Sequence, residues 1–439
     1  MKRYWLGLGL LIMSATGGAM EADITQLTTE QGGEVLFVER HELPIVDIRI
    51  AFDAGSARDN DHPGLARMVN NLLLEGTAER DAGRIARQFE RYGARVSTNS
   101  GRDTAEVSLR ALSEPARLDP VVENLAQVLA GAAFPDDAIA RVRQQMLLGL
   151  QQAEASASQQ AEKAFTRAIY GDHPYATPPG GTIDSVQSIS QSMIKDFHRR
   201  HYTAANATVA IVGDLDRDRA EAIARSILAG LPAGEPLEPL PAVDLPDAPT
   251  TVRVPFEAEQ THVVIGQPSV RRGHEDYYAL YLGNHMLGGG GLTSMLAERM
   301  REERGLSYSS GSRVTTGARR GRFQMSTQVR SDALEEALSV LRGSLAELRD
   351  EGPAAERLDG SRRNITGSFP LQLDSNRDLL GYVSSIGFHD LPQDYLSRFV
   401  ERIEGLDGAA VQSALREHID PQRMVTVLVG PEAAINAVE

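Results

Sequence analysis

The order of the predicted elements repeats about once every 200 residues, which limits the chain to two related halves. The first half ends with HYTAANATVAIVGDL, His201 to Leu215, and the second with HIDPQRMVTVLVGPE, His418 to Glu432. Each segment is a polar turn followed by an apolar strand and a glycine. In both halves strands and helices precede this ending in a similar order. We therefore predict an α+β protein of two homologous α/β halves, each a mixed sheet flanked by helices.

Residues 229–250, AGLPAGEPLEPLPAVDLPDAPT, separate the two halves. They are rich in proline and lack hydrophobic periodicity, which predicts an extended, stiff connector. A chain of 439 residues also exceeds the usual size of one hydrophobic core. We predict domains at 20–228 and 251–439, with the connector acting as either a hinge or a strut. Within the first domain, the periodicity predicts one long helix from Asp136 to Ala168.

The first nineteen residues, MKRYWLGLGLLIMSATGGA, have the composition of a signal peptide. Basic residues start the segment, a short apolar run follows from Tyr4 to Met13, and small residues end it. The apolar run is too short to span a bilayer. We predict cleavage before Met20 and a periplasmic protein, with secretion as the alternative and an uncleaved anchor as a second one. After cleavage we expect no stable membrane insertion.

Composition excludes several classes of function. The sequence contains no cysteine, so disulfides, thiolate metal sites and a cysteine nucleophile are ruled out. The formal net charge of -15 argues against nucleic acid as a partner, because phosphate contacts require clustered lysine and arginine.

The stretch GGGGLTSMLAERMREERGLSYSSG, Gly288 to Gly311, contains the residue types that suit carbonyl chemistry. Its spacing predicts a helix followed by a turn at Gly305 and a strand that starts near Tyr308. That turn is expected to direct Arg301 and Tyr308 toward one cleft. A guanidinium donates in a planar fork and a phenol donates one proton, which together suit a polarised peptide carbonyl. The alternative is a surface arginine and a tyrosine at a strand edge.

The helical part of this stretch predicts that Leu292, Leu296 and Met300 face a core. Its four glycines do not form a phosphate loop, since neither Gly-Lys-Ser nor Gly-Lys-Thr follows them.

We interpret two segments, one rich in histidine and one rich in arginine, as structural rather than as binding sites. His198 and His201 invite a metal interpretation because they share a helical face, but we interpret the segment as a solvated helix end. The arginines at 319, 320 and 322 are interpreted as part of an exposed hairpin turn.

Several segments resemble the pitrilysin or insulinase superfamily of zinc peptidases, which is marked by H-x-x-E-H on a helix. The matching segments in the first half are AFDAGSARDNDHPGLARMVNNLLLEGTAER, HPYATPPGGTIDSV and ATVAIVGD, and in the second half REERGLSY. They follow the family's order along nearly the whole mature chain. The resemblance implies that this chain is half of a clamshell, in which two half-shells close around a chamber.

The chain departs from the family at the metal site. The family's register places histidine, glutamate and histidine at the positions of Arg67, Asn70 and Asn71. The third family ligand, a glutamate, is expected near residues 147–149, where no carboxylate is present. Amides are poor zinc ligands and cannot act as a base, and a guanidinium repels a dication. We therefore expect no metal or other cofactor in this chain.

The resemblance also implies roles for the second half. Arg301 and Tyr308 match the family's substrate-binding pair, and Gly288, Gly289, Gly290 and Gly291 match a loop that handles substrate. Two-chain members such as the mitochondrial processing peptidase combine a zinc-free subunit with one that carries H-x-x-E-H. The chain is thus expected to be the non-catalytic subunit of a heterodimeric periplasmic metallopeptidase that hydrolyses peptides with its partner's zinc. The alternatives are a non-proteolytic structural homologue and an exported peptide-binding homodimer.

Overall fold

A computed structural model describes residues 23–30 and 32–438, so the predicted signal peptide lies outside the described residues. The first half contains six strands: β1 (Thr25–Thr28), β2 (Glu34–Glu39), β3 (Ile45–Phe52), β4 (Arg95–Ser100), β5 (Ala105–Leu112) and β6 (Ala207–Gly213). The second half contains five: β7 (Thr250–Pro255), β8 (Gln260–Pro268), β9 (Ser310–Thr315), β10 (Arg322–Arg330) and β11 (Val425–Gly430).

The helices of the first half are α1 (Leu65–Leu72), α2 (Ala82–Arg91), α3 (Pro115–Gly131), α4 (Asp136–Glu154), α5 (Ala157–Tyr170), α6 (Ile183–Ser188), α7 (Gln191–His201) and α8 (Arg217–Ala229). Those of the second half are α9 (Tyr277–Asn284), α10 (Met295–Ala297), α11 (Leu334–Asp350), α12 (Ala355–Ser368), α13 (Asn376–Phe388), α14 (Ser397–Glu404), α15 (Gly408–His418) and α16 (Glu432–Asn436). None of the helices in the described ranges is long and apolar enough to cross a membrane.

The two sheets have the same topology. The first has the order β1-β2-β6-β3-β5-β4 and the second β7-β11-β8-β10-β9. The order β2-β6-β3-β5-β4 of the first sheet corresponds to β7-β11-β8-β10-β9 of the second. In each sheet the last strand of the half is parallel to one neighbour: β6 to β2, and β11 to β7. The other pairs are antiparallel. Strand β1, at the edge of the first sheet, has no counterpart in the second sheet. The prediction of two homologous halves with mixed sheets is confirmed.

Each sheet is covered on one face by a helix from the other half. Helix α13 of the second half packs on β2, β3 and β6, and α5 of the first half packs on β7, β8 and β11. Close approach makes this packing possible: a Cβ on Gly387 of α13 would lie 2.2 Å from Leu36 Cδ1. Strands β6 and β11 are therefore buried on both faces, which explains their continuous apolar runs.

The long helix predicted from Asp136 to Ala168 is two helices. It breaks between Glu154 and Ala157, where Ser156 caps the second helix by accepting a hydrogen bond from Gln159 N at 3.4 Å. The break allows the two helices to pack on different partners: α4 packs against α1, whereas α5 packs on the second sheet.

The connector between the halves is attached to the structure along its length. Residues 232–249 contain neither helix nor strand, but Leu240 and Val243 are buried against α5 and the second sheet. Arg58 Nη1 donates to Glu238 O at 2.8 Å, and a ring nitrogen of His173 lies 3.0 Å from Pro241 O. These contacts attach the connector to the first half and to the second sheet, and whether it acts as a hinge or a strut stays a prediction.

Candidate functional site

Arg301 lies in a π-helical turn, Glu298–Glu302, that extends α10. The chain then reverses at Gly305, whose φ of +59° lies in the left-handed region that favours glycine. Leu306 N closes the reversal by donating to Met300 O at 2.7 Å, and both side chains are buried. The prediction that Leu296 and Met300 face the core is confirmed, whereas Leu292 is 62% exposed because it falls in a separate 3₁₀ turn, Gly291–Thr293.

Tyr308 stands in the loop just before β9 and is 84% exposed. The predicted strand therefore begins two residues later than expected. A chain of hydroxyls fixes this loop, because Ser307 Oγ lies 2.6 Å from Ser310 Oγ, which lies 2.7 Å from Thr327 Oγ1 on β10. The backbone is thus anchored on either side of Tyr308 while its side chain faces solvent.

The structure brings Arg301 and Tyr308 together. The guanidinium carbon of Arg301 lies 4.8 Å from the centroid of the Tyr308 ring, within the range of a cation–π contact. Two neighbouring arginines in the same stretch form ion pairs with carboxylates: Arg299 binds Glu347 at 2.7 Å and Arg304 binds Glu303 at 2.5 Å. Among the residues that the structure describes, Arg301 has no carboxylate partner. Both polar ends therefore remain available to a ligand.

Three of the four glycines are required by close packing in this structure. A Cβ on Gly288 would lie 2.3 Å from Ser312 N of β9, and one on Gly289 would lie 2.5 Å from Asn284 Nδ2. A Cβ on Gly290 would lie 2.8 Å from His285 O. Only Gly291 faces open space, with a φ of +64°. Gly288 thus allows the end of α9 to approach β9, and Gly289 and Gly290 allow the following turn to pack on the end of the helix. The role of the four glycines toward substrate stays a prediction.

Helix α1 begins with Gly64 at a φ of +91°, held by Asp59. The Asp59 carboxylate accepts hydrogen bonds from Gly64 N and Ala66 N, each at 2.7 Å. Burial nevertheless raises the pKa of Asp59 to about 7, because desolvation outweighs these two bonds.

Asn70, at the position of the family's glutamate, is fully buried on α1. Its Nδ2 donates to Asn99 O at 2.7 Å, and its Oδ1 accepts from the Tyr202 hydroxyl at 3.3 Å. The side chain joins α1 to β4 and to the end of α7 in place of acting on a ligand.

Arg67 and Asn71, at the positions of the family's histidines, are exposed and line a cavity of about 710 Å³ between α1, α4, α5 and the loop 176–183. Gln145, Met146 and Gly149 form its α4 wall, where the third family ligand was expected. None of the side chains lining this cavity is an imidazole, and the arginine places a positive charge where a dication would bind. The described residues therefore do not fit the family's zinc.

Two sequence interpretations are wrong in part. The end of α7 exposes Arg199 and Arg200 to solvent, but His201 is buried, and burial lowers the pKa of His198, which stacks on Tyr202, to about 4. The hairpin between β9 and β10 is not simply exposed, because it docks on the first half. Arg319 N donates to the Tyr175 hydroxyl at 2.9 Å, and Arg322 forms an ion pair with Glu162.

Sequence reasoning missed a cluster formed by His274, Asp276 and His418. The three side chains meet at the start of α9 and the end of α15. A His-x-Asp pair is visible in the sequence, but its partner lies 142 residues away. Such a distance leaves no local spacing to detect.

Comparison with known proteins places this architecture among the M16 peptidases. The family model described as "Insulinase (Peptidase family M16)" matches residues 34–182, and "Peptidase M16 inactive domain" matches residues 188–365. A crystal structure of a peptidase M16 inactive domain from Pseudomonas fluorescens is 36% identical, with a TM-score of 0.90 over 93% of this chain and 98% of that chain.

Other relatives are more distant in sequence. A "Non-peptidase homolog YmxG" of Helicobacter pylori is 25% identical over 90% of this chain and 91% of its own length. An uncharacterized zinc protease of Mycobacterium leprae is 24% identical over 84% of this chain and 83% of its own.

The fold and the site thus define a pitrilysin-like protein that lacks the metal-binding residues of its relatives. The chain belongs to the M16 peptidase family as an inactive member, which confirms the family predicted from the sequence.

Proposed function

We propose that this protein is the non-catalytic subunit, without a catalytic zinc site, of a heterodimeric periplasmic metallopeptidase, in which it supplies Arg301 and Tyr308 to the zinc site of an H-x-x-E-H partner. The observation that carries the proposal is the exposure of this pair. Tyr308 is 84% exposed on an anchored loop, and Arg301 stacks on it without a carboxylate partner among the described residues. The phenol and the guanidinium are therefore both accessible to a ligand or partner from solvent.

The chemistry of the pair supports a role in binding the scissile peptide. Zinc in the partner would supply the activation of water. The Tyr308 phenol can donate one hydrogen bond to the carbonyl oxygen under attack, where negative charge develops. The Arg301 guanidinium has several N–H donors for substrate backbone carbonyls, and its contact with the ring holds both groups in one orientation.

The experiment that tests this function is a peptidase assay of the purified chain, of an H-x-x-E-H partner encoded in the same organism, and of their mixture. Zinc content is measured in each sample. We expect no hydrolysis by this chain, hydrolysis by the mixture that exceeds that of the partner alone, and a stable heterodimer on gel filtration. A partner that digests peptides equally well alone would contradict the proposal, as would chelator-sensitive hydrolysis by this chain in isolation.

The cavity at Arg67 favours a second candidate function, that of a non-proteolytic peptide-binding homologue. Its volume of about 710 Å³ and its mixture of apolar and polar lining residues are suited to a peptide segment. This candidate predicts measurable peptide affinity without hydrolysis in any mixture, and a homodimer as the assembled form.

A further inference from the structure

We propose that His274, Asp276 and His418 form a binding site for a transition-metal dication, which we assign as Zn²⁺. The site is separate from the lost family site, because these residues belong to the second half and α1 belongs to the first. It is also independent of the proposed peptidase function, since it needs neither partner nor substrate.

The three side chains offer the ligand atoms that zinc prefers. The three ligand atoms, one from each residue, all lie within 4.8 Å of one another. Asp276 Oδ2 is at their centre, 2.7 Å from His418 Nε2 and 3.8 Å from His274 Nδ1. Two imidazole nitrogens and one carboxylate oxygen are a donor set that binds zinc with a fourth position open to water.

The distances fit a bound ion after small shifts. Zinc bonds of about 2.0–2.1 Å in a tetrahedron place neighbouring ligand atoms about 3.3 Å apart. The observed separations of 2.7 and 3.8 Å lie on either side of that value. Binding replaces two hydrogen bonds: the one between Asp276 and His418, and the one that His274 Nδ1 accepts from Asp276 N at 3.2 Å.

The surroundings hold the ligands in place while leaving an entry. Gln267 is fully buried, and its Nε2 donates to His418 O at 3.0 Å while its Oε1 accepts from Asp420 N at 3.0 Å. The His418 side chain is 9% exposed, whereas those of His274 and Asp276 are each 32% exposed. An ion can therefore enter from the solvent side and meet a ligand whose backbone is already fixed.

The other charged groups near the cluster determine the affinity for zinc that we expect. Glu417 Oε1 lies 3.9 Å from His418 Nε2 and adds negative charge. Arg271, Arg319 and Arg320 line the shallow cavity beside His274, although each of them donates to a backbone carbonyl. We therefore expect micromolar rather than nanomolar affinity, and a structural effect in which the ion links the start of α9 to the end of α15.

The test uses the full chain, produced without a histidine tag and treated with chelator, titrated with ZnCl₂ by isothermal calorimetry. We expect one ion per chain, a higher melting temperature with zinc, and visible absorption bands of tetrahedral geometry when Co²⁺ replaces zinc. Both His274→Gln and His418→Gln should weaken binding by about tenfold or more. His262→Gln is the matched control, because this half-buried histidine of β8 lies outside the cluster.

Circular dichroism establishes that the variants are folded, and His274→Gln is the more conservative of the two because its side chain is partly exposed. Failure to bind one equivalent of zinc would overturn the assignment. Binding that persists unchanged in both cluster variants, or that His262→Gln weakens equally, would do so as well. None of these readouts depends on peptide hydrolysis, so the outcome is distinguishable from failure of the proposed function.

Discussion

The Tyr202 hydroxyl donates a hydrogen bond to Asn70 Oδ1 at 3.3 Å, in the interior of the first half. The resemblance to the family implies that relatives with H-x-x-E-H have a glutamate at the position of Asn70. Here the amide also donates to Asn99 O at 2.7 Å and is fully buried. The loss of the zinc site therefore involves more than missing ligands, because the position of the base now joins α1 to the sheet.

Replacing Asn70 by aspartate should destabilise the protein by about 2–4 kcal/mol at neutral pH. The carboxylate cannot donate to Asn99 O, and it would be a charge buried beside a backbone carbonyl oxygen. Urea unfolding followed by circular dichroism measures the change. Asn71→Asp, one residue along the helix and exposed, is the control and should change stability by less than about 0.5 kcal/mol. Equal stability of the two variants would contradict this account of Asn70.

Tyr308→Phe should lower turnover by the assembled heterodimer by about two orders of magnitude while leaving its assembly unchanged. The substitution removes only the donor and keeps the ring that contacts Arg301. The matched control is Tyr92→Phe, since Arg91 lies 5.7 Å from the Tyr92 ring in a comparable pair outside the proposed site. Steady-state assays of the mixture check the result. Unchanged turnover in Tyr308→Phe would remove this residue from the mechanism.

The repeat and the mixed sheets were predictable from the recurring order of elements along the chain, and the proximity of Arg301 and Tyr308 was predictable from a local signal. A glycine turn between two helical or extended segments brings residues on either side together within one short stretch. The exposure of Tyr308 was not predictable in this way. It depends on the hydroxyl contacts among Ser307, Ser310 and Thr327, which join residues from two strands.

The features that the sequence did not reveal are contacts between segments far apart in the chain. The pairing of Arg322 with Glu162 spans the two halves, and so does the bond from Arg319 N to the Tyr175 hydroxyl. A run of arginines has the same composition whether it is exposed to solvent or packed against the other half. Its burial can therefore be known only from how the halves pack. The burial of His198 was missed for the same reason, because its aromatic neighbour Phe134 belongs to a distant segment.

Gly288→Ala should destabilise the protein by about 1–3 kcal/mol. The added Cβ would lie 2.3 Å from Ser312 N, and backbone on both sides must move to accommodate it. Gly360→Ala in the interior of α12 is the control, because a Cβ there meets no heavy atom within 4 Å. Alanine is the better helix former, so the control should be neutral or stabilising by up to about 1 kcal/mol. Thermal unfolding of both variants measures the difference.

Acid should destabilise the protein partly through His198. Burial lowers its pKa from 6.5 to about 4, so the folded state keeps the imidazole neutral while the unfolded state takes up a proton. Its contribution to stability is present above pH 6.5 and is lost as the pH falls toward 4, by at most about 3 kcal/mol. His198→Phe retains an aromatic ring beside Tyr202 and should flatten this part of the pH dependence.

His41 provides a comparison of opposite sign. Hydrogen bonds to Asp214 and Glu39 raise its pKa, so its contribution is present below pH 6.5 and is lost as the pH rises through the folded-state value. His41→Gln should therefore reduce stability more at pH 5 than at pH 8, because the protonated form gains the two carboxylates. Urea unfolding at a series of pH values measures both variants. Parallel pH profiles for His198→Phe and the unsubstituted protein would show that His198 does not control the acid response, whatever the result for His41.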